Sequence, residues 1–149
     1  MSKIVEIAKA EIGTTEVPKD SNKTKYGKWF NLQGVPWCGI FVSWCYAQRG
    51  KPLPNIGFKK GFAGCQTAVK YFKDNNRIVL NPNPGDIVFF DWNGDGRYDH
   101  TGIFVEWAQK NVSFYSVEGN TAIGNDSNGG EVMLRKRGLK GVIFVNVFD

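Results

Sequence analysis

Pro84-Gly85-Asp86-Ile87-Val88-Phe89-Phe90-Asp91 divides the chain in two. A Pro-Gly turn opens a run of four apolar residues that predicts a short buried strand, too brief for a helix. Everything before it is helical in pattern. Ile4, Ile7, Ala8 and Ile12 predict a helix over 3–12 ended by Gly13, and residues 25–31 a short second one. Residues 38–48 follow the turn Gly34-Val35-Pro36 and predict a strong helix closed by Arg49-Gly50; Gly64 or Cys65 opens another, over residues 67–75. Beyond the divide, residues 101–107, 111–118, 131–135 and 142–148 predict strands separated by Gly, Asn and Asp turns. Helices first and strands afterwards imply an α+β fold, with the N-terminal helices packed on one face of a C-terminal antiparallel β-sheet. With 149 residues and no repeat or linker, residues 1–149 are expected to form a single domain.

Composition narrows the function. The net charge of +5 attracts polyanions in general. The positive residues are scattered, however, and only Arg135, Lys136, Arg137 and Lys140 cluster, where a solvated strand end is the expected reading. No basic helix, zinc-finger spacing or aromatic RNA-binding motif points to nucleic acid. Glu6, Lys9 and Glu11 interrupt any apolar run at the start, so no signal peptide is expected, and no stretch is suited to membrane insertion. Cytoplasmic synthesis and a monomer are the corresponding expectations. Three cysteines exclude a full disulfide framework. Cys38 and Cys45 on one helix would stand about 10 Å apart along its axis, too far for a disulfide.

The chain has a single histidine, His100, which removes multi-histidine metal sites and puts all imidazole chemistry at one position. It opens the apolar run Thr101-Gly102-Ile103-Phe104-Val105, where a side chain is held rigidly at a strand mouth facing a cleft. Cys38 lies between a proline turn and a helix, so its sulfur is expected at the helix N-terminus. Unpaired amides and the helix dipole favour thiolate there, and thiolate is the nucleophile. Cys45, in mid-helix, and Cys65, after Gly64, read as inert, with nothing nearby in sequence to activate either. A Cys–His pair needs a third group to orient the ring. A hairpin between residues 101–107 and 111–118, turning near residues 108–110, brings Glu118 opposite the start of the first strand, beside His100. Asn120 follows two residues later. Tyr26, Trp29 and Trp37 precede the nucleophile and suit either the core or a sugar-stacking cleft wall.

Pro36-Trp37-Cys38-Gly39-Ile40-Phe41-Val42-Ser43-Trp44-Cys45, Pro84-Gly85-Asp86-Ile87-Val88-Phe89-Phe90, Asp99-His100-Thr101-Gly102-Ile103-Phe104 and Glu118-Gly119-Asn120-Thr121 together resemble the CHAP family, the cysteine, histidine-dependent amidohydrolases/peptidases. The resemblance implies a papain-like fold and hydrolysis of bacterial peptidoglycan, either at the muramic acid–stem peptide amide or within the peptides. It implies Cys38 as nucleophile, His100 as general base and then acid, Glu118 as orienting carboxylate and Asn120 as a supporting polar residue. A phage endolysin-like protein, made in a host cytoplasm and acting on the wall after release, fits these expectations. A non-catalytic wall-binding module and a Cys–His hydrolase or acyl transferase for another amide are the competing readings.

One further motif stands apart. Asp91, Asn93 and Asp95 at positions 1, 3 and 5, Arg97 at 7, Asp99 at 9 and a Gly at 6 match the front of an EF-hand-type Ca2+ loop. Position 12 is Gly102 rather than Glu, so a calcium loop and a metal-free Asx-rich turn both fit. No organic cofactor is expected.

Overall fold

The structure, a computed structural model, describes residues 2–148. Its helices are α1 (Lys3–Ala10), α2 (Lys25–Phe30), α3 (Cys38–Gln48) and α4 (Cys65–Asp74). The strands are β1 (Ile78–Val79), β2 (Ile87–Phe90), β3 (His100–Gln109), β4 (Ser113–Thr121), β5 (Glu131–Gly138) and β6 (Val142–Val145). Among the described residues the strands form one antiparallel sheet in the order β1-β6-β2-β3-β4-β5. The fold is thus α+β and papain-like, with helices leading and sheet following.

α3 is the axis of the molecule. It packs against α1, α2, β3 and β4, and residues from Cys38 through Ser43 are all buried. Gly39 permits this depth: a Cβ there would stand 2.8 Å from the Ala63 carbonyl oxygen and from the Phe62 ring. The segment leading into α4 therefore lies against the first turn of α3, which brings two helix starts together. Asn31 ends α2 in the left-handed conformation, φ 67°, a role its short side chain tolerates.

Alternation along β2 splits the apolar residues between two faces. Ile87 and Phe89 join the main core under the helices, where Phe89 meets Phe62 and Phe72. Val88 and Phe90 join a second cluster with Phe104, Phe114 and Phe144 on the opposite face. Burying each such Phe contributes roughly 1.5–3 kcal/mol. Tyr26 and Trp37 are core residues, stacked at 5.6 Å and almost fully buried. Their polar atoms are bonded to Glu11 and Glu16. Trp29 remains half-buried, with Lys60 over its ring.

The differences from the expected elements are local. α1 stops at Ala10 and continues as a turn to Gly13. α4 opens at Cys65 after Gly64, as expected, and β5 runs on to Gly138. The two-residue β1 carries too little pattern to be read from sequence. The β3–β4 hairpin exists but carries irregularities between Phe104 and Glu106 and between Trp107 and Gln109. Among the described residues no helix is long and apolar enough to cross a membrane.

Candidate active site

Cys38 is the first residue of α3, and Trp37 at the N-cap supplies no side-chain cap. The helix start is therefore left without a competing acceptor from the cap residue. Cys65, His100 and the backbone of Thr101 surround its sulfur and act on it. These interactions outweigh burial and hold the Cys38 thiol well below its ordinary value of 9.0. Cys65 is pushed up in return, first by Cys38 and then by burial. Cys65 is thus not itself activated, as expected, but its nearness to Cys38 was not legible in the sequence. It opens α4, and the Gly39 close approach sets that helix start beside Cys38.

His100 begins β3 and is wholly buried. Its Nε2 lies 3.0 Å from Oε1 of Glu118. Nδ1 has no hydrogen-bond partner among the described residues and, with Nε2 taken by Glu118, is the nitrogen left unbound. Burial alone would lower the ring's pKa. Its interactions with Cys38 and Glu118 reverse that and raise it to about 9. The thiol is thus lowered and the imidazole raised, the two directions that favour a thiolate–imidazolium pair. The rings of Phe90 and Trp92 stack on the imidazole at 5.9 and 5.6 Å, so it lies where the two apolar clusters meet.

Glu118 reaches His100 across Gly102. A Cβ at that position would sit 2.6 Å from Cγ of Glu118, so a glycine at 102 keeps the path clear. The carboxylate is wholly buried. Burial would raise its pKa, but bonds from His100 and Arg137 outweigh this and bring it down to about 2. Ser116 also donates to Oε2. The hairpin expectation holds, with one refinement: Glu118 packs on Gly102, and its side chain runs back toward the strand start.

Asn120 is placed differently from the other expected site residues. Its Oδ1 accepts from the Gly130 amide and its Nδ2 donates to Asn128, each at 3.0 Å. It ties down the loop between β4 and β5, and the bonds it makes do not go to His100. The expected solvated end of β5 is also corrected. Arg137 donates from Nε and Nη2 to the two Glu118 oxygens at 3.0 and 2.6 Å, and Arg135 bonds Thr121, Ala122 and Asp126. The signal was in the sequence: Arg135 and Arg137 are two apart on a strand and share a face.

The 91–99 loop is held by its own amides. Gly96 N donates to Asp91 Oδ2, Asp95 N to Asn93 Oδ1, Arg97 N to Asp95 Oδ1 and Trp92 N to Asp99 Oδ2. Among the described residues no group of three or more His, Cys, Asp or Glu side chains is arranged to hold a metal ion. Asp91 Oδ1 is buried and without a partner. The loop is anchored next to the histidine by a two-way amide clasp: Gln66 Nε2 donates to the Tyr98 carbonyl at 2.7 Å, and Tyr98 N to Gln66 Oε1 at 2.8 Å. The strand that starts with His100 and the helix that starts with Cys65 are thereby fixed to each other.

A thiol, an imidazole and a carboxylate thus stand in series on a helix-over-sheet scaffold. The chain belongs to the CHAP domain family, whose profile matches residues 30–120. Similar solved structures include an N-acetylmuramoyl-L-alanine amidase from Staphylococcus aureus, at 11% identity and a TM-score of 0.52 over 77% of this chain. Another is the wild-type endolysin LysIME-EF1, at 16% identity and a TM-score of 0.54 over 95% of this chain. At these identities the likeness is one of fold. The chain spans 31% of the amidase and 61% of the endolysin. No curated protein matches it in sequence.

Proposed function

We propose that this protein is a peptidoglycan hydrolase that cuts an amide bond by acyl transfer through Cys38. The observation that carries the reading is the buried series Cys38, His100 and Glu118, with the thiol lowered and the imidazole raised. Family membership and the likeness to an amidase and an endolysin support the wall as substrate.

In this reading the Cys38 thiolate attacks the amide carbonyl carbon and a tetrahedral oxyanion forms. His100 donates its Nδ1 proton to the leaving amine as the C–N bond breaks, leaving a thioester. Water then gives a proton to Nδ1 and attacks the thioester. The acid product departs, and the thiolate–imidazolium pair is restored. Glu118 stays ionised throughout and holds Nε2–H, which keeps Nδ1 as the working nitrogen. An endolysin-like role, with synthesis in a host cytoplasm and wall access after release, belongs to the same proposal.

Calcium at the 91–99 loop is a separate proposal, and no catalytic step depends on it. It rests on the unpartnered Asp91 Oδ1. Asp91, Asn93, Asp95 and Asp99, with the Arg97 carbonyl, would supply oxygen, and Asn93, Asp95 and Asp99 would share or exchange the amides they now accept.

The deciding experiment is mass spectrometry of purified peptidoglycan digested with wild-type protein and with Cys38→Ala. Soluble fragments with new amine and carboxyl ends, from the wild type alone, support the hydrolase and identify the bond as muramoyl amide or peptide. Absence of fragments from folded wild type across several wall types overturns it and favours a binding module.

A further inference from the structure

The acid–base machinery above does not end at Glu118. A buried carboxylate is costly to keep ionised, and bonds from an imidazole and the Ser116 hydroxyl do not offset that cost at all pH values. Glu118 is wholly buried, yet it faces a second cation. Arg137 on β5 presents Nε and Nη2 to its two oxygens at 3.0 and 2.6 Å, the bidentate geometry that suits guanidinium to carboxylate. Only 9% of the Arg137 side chain is exposed.

The same guanidinium touches the other support of the histidine. Its carbon lies 4.8 Å from the Trp92 ring centroid and 5.5 Å from that of Phe90, the two rings stacked on His100. Arg137 thus braces the imidazole along two routes, through the carboxylate at Nε2 and through the aromatic stack on its face. Its remaining nitrogen, Nη1, is bonded to Asp126 at 3.0 Å, which fixes the arginine from behind and shares that carboxylate with Arg135.

We propose that Arg137 is a positioning residue for the reaction: it keeps Glu118 ionised and aimed at Nε2, so that His100 presents Nδ1 to Cys38. The inference rests on the reading of Cys38, His100 and Glu118 as the reacting set. Without Arg137, Glu118 loses two donors and a neighbouring cation and picks up a proton at higher pH. A protonated Glu118 no longer attracts the imidazolium, and the ring's orientation is released.

The test compares Arg137→Met, Arg137→Gln and Arg137→Lys with wild type and Cys38→Ala on a soluble muropeptide, as kcat and KM across pH. Thermal melting serves as the folding control. In the neutral variants kcat is expected to fall on the order of 10- to 100-fold, the scale of loss when a reacting group is slightly misplaced, with KM little changed. The acid limb of kcat should move to higher pH, and Arg137→Lys should restore part of the wild-type profile. His100 being the only histidine, its Nε2–H proton resonance is an unambiguous second readout. It should shift or broaden in the neutral variants and recover in Arg137→Lys.

A wild-type acid limb and a wild-type His100 resonance in folded Arg137→Met or Arg137→Gln overturn the proposal. Should both neutral variants fail to fold while Arg137→Lys matches wild type in melting, profile and resonance, the residue is structural and the proposal falls as well. The underlying reading fails separately: wild-type activity in Cys38→Ala removes the reacting set itself, whatever the Arg137 variants do.

Discussion

Cys38 and Cys45 are the same residue on the same helix, two turns apart, and both are buried. Their chemistry is opposite. Cys45 sits where burial, with the charge of Glu11 added, raises its thiol well above the ordinary value. Cys38 is held well below it by the influence of Cys65, His100 and the Thr101 backbone at the helix start. Burial acts on both in the same direction, so depth does not separate them. The separation comes from what three other elements deliver to one end of α3: Cys65 from α4, and His100 and Thr101 from β3. Reactivity here belongs to the junction of elements, and the helix on its own supplies only the site.

The sharpest way to break this comparison is to remove each thiol in turn. Cys38→Ala is expected to abolish peptidoglycan cleavage, a loss on the order of 10⁴-fold or more. Cys45→Ala should leave kcat unchanged and lower stability by about 1 kcal/mol, the usual scale for a small core deletion; fragment release and thermal melting read the two effects. Equal activity losses at the two positions would erase the distinction.

The pH profile sharpens it next. Turnover needs Cys38 ionised and His100 protonated, so activity should fall as pH rises through about 9, where the imidazolium loses the proton it gives to the leaving amine. On the acid side it should persist well below the ordinary thiol range, because the Cys38 thiol is lowered. Initial rates on soluble muropeptide from acid to alkaline pH would check both limbs. A rate that kept rising above pH 9 would show an ordinary thiol with no ion pair.

Cys65 offers a smaller and more selective test. Cys65→Ala removes the largest support of the Cys38 thiolate and should shift the pH midpoint of Cys38 alkylation by iodoacetamide upward. Neutral-pH turnover should slow about tenfold, the worth of one charge-assisted hydrogen bond. An unmoved alkylation midpoint would assign the lowering to His100 alone. The smallest effect is expected from calcium at the 91–99 loop, which should raise the melting temperature by a few degrees at most. No change on chelation and calcium return removes that proposal.

How far each site residue was legible depended on whether its partners were local. Pro36 ahead of Cys38, and Arg49-Gly50 at the other end, mark both ends of α3 because start and stop signals act within a turn or two. Glu118 was legible through hairpin pairing, since antiparallel strands joined by a short turn register against each other whatever surrounds them. The hairpin carries bulges, and the absence of a side chain at Gly102 leaves room for Glu118. The loop-tying bonds of Asn120 and the inward turn of Arg135 and Arg137 were not legible for a shared reason. Both lie at the β4–β5 edge, where a side chain turns inward or outward according to which loop closes over it.

Local pattern in the sequence by itself thus determined the order of helices and strands, the placement of Cys38 at a helix start and of His100 at a strand start, and the α+β class. Short-range hydrogen bonding and apolar periodicity need no knowledge of distant partners. Only the tertiary structure decided that Cys65 would meet Cys38, that Arg137 would close on Glu118, and that Tyr26 and Trp37 would be core. Those outcomes depend on close approaches between segments far apart in sequence, such as Gly39 against Ala63. Packing of the whole sheet and helix layer sets such approaches, and no local stretch of chain encodes them.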